Sequence, residues 1–372
     1  MKFIDLFAGI GGFRLGMESA GHECVAFCEI DKFARASYKA IHNTEGEIEL
    51  HDITTVTDDE IRNIGHVDAI CGGFPCQAFS IAGHRRGFED TRGTLFFEIA
   101  RFAAILKPKY LFLENVKGLL NHDRGNTFET ILSALDELGY DVEWQVLNSK
   151  DFGVPQNRER VFIIGHLRGQ RGRKVFPIGR ENQSTSNQSV VKIGNVNPSG
   201  NGMNGEVYQG GVVYGTDGIA PTIRAYQGGG LEPKIIQRGR GYNEGGEHDI
   251  APTLTSNSYH ENNVLRITEA TSTGYAEAKV GDSVNLAHPN SKTRRGRVGD
   301  GIANTLVTGD SQGVVTPNFR IRKLTPRECW RLQGFPDWAF DKAQEVNSNS
   351  QLYKQAGNSV TVNVIKEIAR YL

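Results

Sequence analysis

Between residues 1 and 167, short apolar segments alternate with helical patterns, and this alternation restricts the fold of the chain more than any other feature. Residues 2–6 read as a strand, and Phe13, Met17 and Ala20 give a helical face. Residues 23–29 form a second strand and 31–42 a second helix. Residues 67–71 are a strand running into Gly72-Gly73, 94–106 a helix stopped before Pro108, and 110–114 a further strand. Asn126 is expected to cap the next helix, with Glu129 at capping-box spacing. The apolar face of that helix is Phe128, Ile131, Leu132, Leu135 and Leu138, and Gly139 ends it. Residues 143–147 and 161–164 close the set as strands. The pattern predicts an α/β domain with a largely parallel sheet covered by helices on both faces. Ligands of such sheets bind at the C-terminal ends of the strands, so the residues there carry most of the functional information.

Further along, the composition changes. Of the 44 glycines, 23 lie between residues 179 and 317, a stretch also rich in Asn, Ser and Thr. Its Val, Ile, Tyr and Leu segments sit between turn signals, which suits short strands and hairpins. Thr325-Pro326-Arg327-Glu328 then opens a helix with a capping box and Pro at its first position. Residues 361–371 place Val364, Ile368 and Tyr371 on one face, expected to dock back on the first domain. The expected division is 1–178, a catalytic and cofactor-binding domain; 179–323, a smaller β-rich, irregular domain; and 324–372, a return that completes the first. No apolar run approaches the ~20 residues of a membrane span. Five cysteines in 372 residues make no disulfide framework, and the N-terminus does not read as a signal peptide. These features suit a soluble, reduced, cytoplasmic protein. The net charge of −1, taken alone, argues against a nucleic-acid partner.

Residues 5–12, DLFAGIGG, follow the first strand, and their small side chains let backbone N–H groups approach a ligand. Arg at position 14 breaks the dinucleotide fingerprint. Glu29 ends the second strand, where a carboxylate accepts from ribose hydroxyls, and Asp52 stands where it could accept from an adenine amino group. Together these suit an adenosine ligand without a diphosphate.

At the reactive end, Gly72-Gly73-Phe74-Pro75-Cys76-Gln77 follows a buried strand. Cys24, Cys28, Cys71 and Cys329 lie in strand or helix patterns and read as small core residues. Cys76 sits in a Gly/Pro turn where a thiolate could be exposed. No CxxC and no His cluster points to a metal. A cysteine hydrolase would need a His base that nothing singles out. Glu114-Asn115-Val116 ends one strand, and Gln156-Asn157-Arg158-Glu159-Arg160 precedes another.

With these residues in view, the chain resembles the DNA cytosine-5 methyltransferases of bacteria and phages over nearly its whole length. The resemblance rests on residues 5–12, 74–80, 87–97, 114–116, 156–160, 322–336 and 355–360, in the family's order. It implies a Rossmann-like S-adenosylmethionine-dependent domain with a target-recognition domain occupying 179–323. It also implies that Cys76 attacks carbon 6 of cytosine, Glu114 holds ring nitrogen 3, Arg160 donates to the carbonyl oxygen and Arg158 orients the site, with Asn115 supporting the loop. Carbon 5 then becomes nucleophilic and takes the methyl group. The cytosine must leave the duplex for this, and residues 77–93 form the segment expected to close on it. Phe7, Gly9, Gly11, Glu29, Asp52, Leu95, Asn358 and Ser359 are the implied cofactor residues, with Phe335 a further contact. Gln77, Ser80, Arg85 and Arg86 are implied DNA contacts.

The recognition region holds three versions of one pattern: residues 219–223 (IAPTI), 250–254 (IAPTL) and 302–306 (IANTL). By resemblance, Thr305 first, then Thr222 and Thr253, meet the DNA backbone beside the flipped base; structural hairpins are the alternative. From 180 to 320 the charge balances at 13 Lys/Arg against 13 Asp/Glu, so phosphate contact falls to local clusters. Arg294, Arg295 and Arg297, within residues 292–297, are the candidates, beside Arg85-Arg86 and residues 168–174. Duplex DNA is the expected partner of a monomer, with no metal and no membrane. A tRNA cytosine-5 methyltransferase and an inactive sequence-specific DNA-binding protein are the competing readings. The recognition site stays open, as does the choice between a separately encoded cognate restriction endonuclease, a phage and a solitary modification system.

Overall fold

The computed structural model describes residues 1–75, 95–170, 173–178, 264–287, 293–309, 311–317 and 320–372; at 192–195, 212–214, 234–240, 243–248 and 263 it describes the backbone alone. Met1–Ile178 and Gly228–Leu372 form one compact unit, and Gly179–Gln227 a second.

The first unit is built on a seven-stranded sheet of β1 (Lys2–Leu6), β2 (Glu23–Cys28), β3 (Ile48–Leu50), β4 (Ala69–Gly73), β5 (Tyr110–Val116), β6 (Tyr140–Asn148) and β7 (Glu159–Leu167), in the order β3-β2-β1-β4-β5-β7-β6. Strands β1 to β5 pair in parallel, while β7 runs antiparallel to both β5 and β6. Helices α1 (Gly12–Ser19), α2 (Lys32–Ile41), α3 (Asp58–Asn63), α4 (Leu95–Leu106) and α5 (Asn126–Glu137) connect the strands. Because both faces are covered, the central strands read as continuous apolar runs: Leu111, Phe112 and Leu113 of β5 are all fully buried. The α/β expectation holds, and the reversed β7 carries a functional consequence. Its first residues start beside the C-terminal end of β5, so Arg160 pairs with Val116 at the ligand edge of the sheet.

The start of α5 differs from expectation. Gly125, in the left-handed region at φ 95°, is the N-cap; Asn126 is already helical, and no side chain caps the helix. Asp123 and Arg124 are also left-handed, and this tight turn delivers the chain into the helix without an Asn cap. The expected box at Thr325–Glu328 is present and opens α6 (Pro326–Leu332). It is followed by α7 (Asp337–Val346), α8 (Asn349–Asn358) and α9 (Val362–Ala369). The last helix docks on α1, where a Cβ at Gly16 would lie 2.5 Å from Ile365.

Between these helical parts, β10 (Lys234–Arg240), β11 (Asn243–His248), β12 (Asn263–Thr268) and β13 (Tyr275–Ala278) form an antiparallel sheet. A second is made by β14 (Ser283–Asn285), β15 (Val298–Gly299), β16 (Gln312–Val315) and β17 (Ile321–Lys323). Leu265, Ile267, Ala278, Val284 and Val315 give the two sheets a small shared core. In the second unit, β8 (Lys192–Asn195) pairs antiparallel with β9 (Val212–Tyr214).

Among the described residues, no helix is long and apolar enough to cross a membrane.

Candidate active site

A cavity of about 360 Å³ opens at the C-terminal ends of β1, β2 and β4, the place that parallel topology reserves for ligands. Phe7 and Gly9 line it from the first turn, Glu29 and Asp52 from the second and third strand ends. Leu95, Asn358 and Ser359 complete its wall. Phe7 is held at φ 55°, a conformation that costs a non-glycine residue about 1–2 kcal/mol. Strain of this kind is kept where the surrounding structure fixes it, and here it belongs to the turn that forms the cavity floor.

The two cavity carboxylates are held differently. Glu29 accepts from the backbone N–H of Gly9 and of Asp31, both at 2.7 Å. Burial raises its carboxyl above the usual range, and those two N–H groups pull it back. Asp52 accepts from the hydroxyl of Thr54 at 2.7 Å and from its N–H at 3.0 Å, which hold it below the usual range and ionised. One carboxylate is thus fixed by backbone at the end of β2, and the other stays charged at the cavity's edge.

A second cluster stands at the ends of β4, β5 and β7. Glu114 is 8% exposed, and Arg160 Nε lies 3.0 Å from its Oε1. Burial pushes the Glu114 carboxyl up, while Arg160 and then Arg158 draw it down. Gly73 faces it across the sheet, and a Cβ there would come within 3.1 Å of Glu114 Oε2. Asn115 donates from Nδ2 to the carbonyl of Phe74 at 2.8 Å and so ties the exit of β4 to β5. A buried acid beside a guanidinium, with its proton affinity set by opposing influences, can hold or release a proton on a polar ring.

Arg158 is buried and works as a strut. Its guanidinium donates to the carbonyls of Leu306 at 3.2 Å, Gly357 at 3.1 Å and Ser359 at 2.8 Å. Burial and the neighbouring Arg160 pull it down to about 9, so it remains charged at neutral pH. The preceding Gln156 is fully buried. It accepts from the N–H of Leu306 at 3.1 Å and donates to the carbonyl of Leu332 at 2.8 Å. Residues 302–306 are seated on this segment. Asn157 donates its N–H to Ala303, Ala303 donates its own to Pro155, and the Thr305 hydroxyl donates to the Asn157 carbonyl at 2.7 Å. Sequence reasoning missed this seam because it joins residues about 150 positions apart.

Several expected site residues fall elsewhere. Cys76, Gln77, Ser80, Arg85 and Arg86 lie outside the described residues, as do Thr222, Thr253 and the segment 77–93. Gly11 does not line the cavity. It is the left-handed N-cap of α1 at φ 83°, and a Cβ there would lie 2.1 Å from His42 Nε2, so packing demands the glycine. Phe335 is buried edge-to-face against Trp330 and is no cavity contact. Arg297 is 5% exposed, and its guanidinium donates to the carbonyls of Thr268 and Asn285. It knits the two small sheets together, which corrects its expected place on a phosphate. Arg294 and Arg295 are exposed. Burial pushes the thiols of Cys24, Cys28 and Cys71 up, Cys28 to about 12. Cys329 is also buried. Among the described residues, no three His, Cys, Asp or Glu side chains gather where they could hold a metal.

Five polar cavity residues were not foreseen: Asp31, His51, Gln351, Lys354 and Gln355. Residues 351, 354 and 355 follow i, i+3, i+4 spacing on α8, a signal readable in the sequence.

Comparison with known proteins places these features. Residues 1–372 match the family of C-5 cytosine-specific DNA methylases. The orphan methyltransferase M.SPRI of Bacillus phage SPR is 35% identical, over 100% of this chain and 97% of that protein. The type II methyltransferase M.HhaI of Haemophilus parahaemolyticus is 34% identical, over 99% and 93%. Among solved structures, a prophage-encoded DNA modification methyltransferase candidate of E. coli aligns at a TM-score of 0.58 and 22% identity, covering 100% of this chain and 97% of that one.

Proposed function

The chain belongs to the C-5 cytosine-specific DNA methylases, and on that premise we propose that it methylates a flipped-out cytosine in a specific duplex sequence through a covalent Cys76 adduct, with S-adenosylmethionine as methyl donor. The observation that carries this reading is the pairing of two sites at one sheet edge. A cavity suited to an adenosyl group lies next to a buried Glu114–Arg160 pair suited to a pyrimidine ring.

The cavity residues fit the cofactor. Phe7 offers an apolar face, Glu29 an acceptor for ribose and Asp52 an ionised acceptor for an amino group, with Asn358 and Ser359 at the far wall. When bound, S-adenosylmethionine supplies an electrophilic methyl group. The protein's part is to make carbon 5 of cytosine nucleophilic. Of the five cysteines, four are buried core residues, which leaves Cys76 as the nucleophile. Its thiolate forms a bond to carbon 6, and the electrons of the 5,6 double bond move toward carbon 5. Glu114 holds a proton at ring nitrogen 3, and Arg160 donates to the carbonyl oxygen, so charge leaves the ring as the thiolate adds. Arg158 fixes the walls of both sites by holding the carbonyls of Leu306, Gly357 and Ser359. Loss of the carbon 5 proton to solvent and expulsion of the thiolate restore the ring.

Residues 179–323 form the recognition region in this reading. Thr305 contacts the DNA backbone by exchanging its hydroxyl bond to Asn157 for one to a phosphate, and the exposed Arg294 and Arg295 neutralise phosphates. Thr222 and Thr253 play the same part as Thr305 in their own repeats. The enzyme acts as a cytoplasmic monomer.

Bisulfite sequencing of plasmid DNA from cells expressing the protein tests activity and target together. Conversion-resistant cytosines at one short motif are expected. Plasmid DNA without protected cytosines, with labelled methyl transfer to tRNA instead of duplex DNA, would overturn the reading. Profiles of Thr222→Ala, Thr253→Ala and Thr305→Ala should differ by motif if the repeats read different bases; equal losses everywhere would argue against separate readers.

A further inference from the structure

The helix α8 presents Gln351, Lys354 and Gln355 to the cofactor cavity. Two of these side chains are engaged in holding the helix to the start of α2. The Lys354 ammonium reaches Asp31 Oδ2 at 2.6 Å. Gln355 donates to the carbonyl of Phe33 at 3.1 Å and accepts from the Ser37 hydroxyl at 3.0 Å. Gln351 lies one turn earlier on the same face and is the exception. Its Oε1 is buried, and no donor among the described residues reaches it.

A buried amide oxygen left unpaired is costly, so native structures rarely keep one without a reason. The N–H groups that open α2 cannot serve it. Those of Phe33 and Ala34 go to Asp31 Oδ1, and that of Asp31 goes to Glu29. The donor therefore comes from the cavity. Glu29 stands beside this wall, two residues before Asp31, with each carboxylate oxygen already carrying one backbone N–H. Ribose brings two vicinal hydroxyls to that end of the site, and Gln351 Oε1 adds an acceptor there to the two carboxylate oxygens of Glu29 that each already carry a backbone N–H.

We propose that Gln351 accepts a hydrogen bond from a ribose hydroxyl of the adenosyl group, as a second ribose reader alongside Glu29. The inference rests on the cofactor reading above. It assigns α8 two tasks: Lys354 and Gln355 fix the helix to α2, and Gln351 reads what lies between them.

The test is calorimetric binding of S-adenosylhomocysteine and of its 2′-deoxy and 3′-deoxy analogues to the full chain and to Gln351→Met. The variant should bind S-adenosylhomocysteine about tenfold more weakly, as expected for one lost hydrogen bond. One deoxy analogue should bind the wild type with a similar deficit and lose nothing further on the variant. The unliganded variant should melt at or above the wild-type temperature, because Met relieves an unpaired acceptor. Equal affinity of variant and wild type for S-adenosylhomocysteine would overturn the proposal, as would a variant deficit of the same size for all three ligands. Failure of the wild type itself to bind S-adenosylhomocysteine would instead overturn the cofactor reading, and this inference with it.

Discussion

Replacing Arg158 by Met keeps an unbranched side chain of similar reach and removes the three carbonyl bonds to Leu306, Gly357 and Ser359. A bond from a charged donor contributes about 1.5–3 kcal/mol, so the three together set a ceiling of about 4.5–9 kcal/mol. Two features lower that figure. The guanidinium is 3% exposed, and keeping a charge there costs several kcal/mol that Met avoids. Among the described residues its Nε is also buried without a partner, so the burial is incompletely compensated even in the wild type. The net loss should be about 3–5 kcal/mol, the range for breaking a buried charged interaction. At roughly 2 °C per kcal/mol for a large domain, the melting temperature should fall by about 6–10 °C. Gly357 and Ser359 flank Asn358 in the cavity wall, so S-adenosylhomocysteine should also raise the variant's melting temperature less than it raises the wild type's. Lys117→Met is the control: its ammonium makes an exposed ion pair to Glu159, and its loss should hardly move the melting temperature. Differential scanning fluorimetry with and without ligand measures all of this. Arg158→Met melting within about 2 °C of the wild type, or Lys117→Met falling as far as Arg158→Met, would refute the strut.

Glu114→Gln removes the acid while keeping its shape; the methylation rate should fall about 10²–10³-fold, with S-adenosylhomocysteine binding preserved, and a wild-type rate would remove Glu114 from the chemistry. Asp5 is fully buried at the end of β1, its Oδ1 unpaired among the described residues, and burial raises its carboxyl well above the ordinary range against the pull of Arg14. A raised acid stabilises the fold below its ordinary pKa, and that contribution is lost as pH rises through the folded value. Asp5→Asn should therefore gain on the wild type from pH 5 to 8, by at most about 1.4 kcal/mol per pH unit, as read from urea midpoints; parallel pH curves would contradict this. Gly11→Ala meets both a left-handed φ of 83° and the His42 ring, and should cost about 2–5 kcal/mol; a melting temperature equal to the wild type's would show that the turn relaxes freely.

The sheet was legible because β1, β4 and β5 are buried on both faces and so read as unbroken apolar runs. The cavity residues were legible because parallel topology puts strand ends at the ligand: Glu29 and Asp52 fall there whatever the side chains around them. Local rules misled where two turns could satisfy the same spacing. Asn126 and Glu129 have capping-box spacing, yet the left-handed turn ending at Gly125 enters the helix first, while the real box at Thr57–Glu60 went unread. Charge runs misled for a similar reason. In residues 292–297 the run is basic, but the chain turns Arg297 inward onto carbonyls and leaves Arg294 and Arg295 outside. Overall charge was the least informative feature, since a chain of net charge −1 belongs to a family of DNA methylases. The seam of Gln156, Arg158 and residues 302–306 was invisible for a deeper reason. Its bonds run largely to backbone groups, which no residue pattern marks.

Catalysis in this enzyme turns on a bond between Cys76 and the cytosine that is methylated. A duplex carrying 5-fluorocytosine at the motif mapped by bisulfite sequencing tests it most directly, because fluorine cannot leave as a proton and the adduct cannot resolve. Incubated with the protein and S-adenosylmethionine, then run on a denaturing gel, it should give a covalent protein–DNA species that is absent from Cys76→Ala. No adduct with the wild type at the mapped motif, or an adduct that survives in Cys76→Ala, would contradict the account.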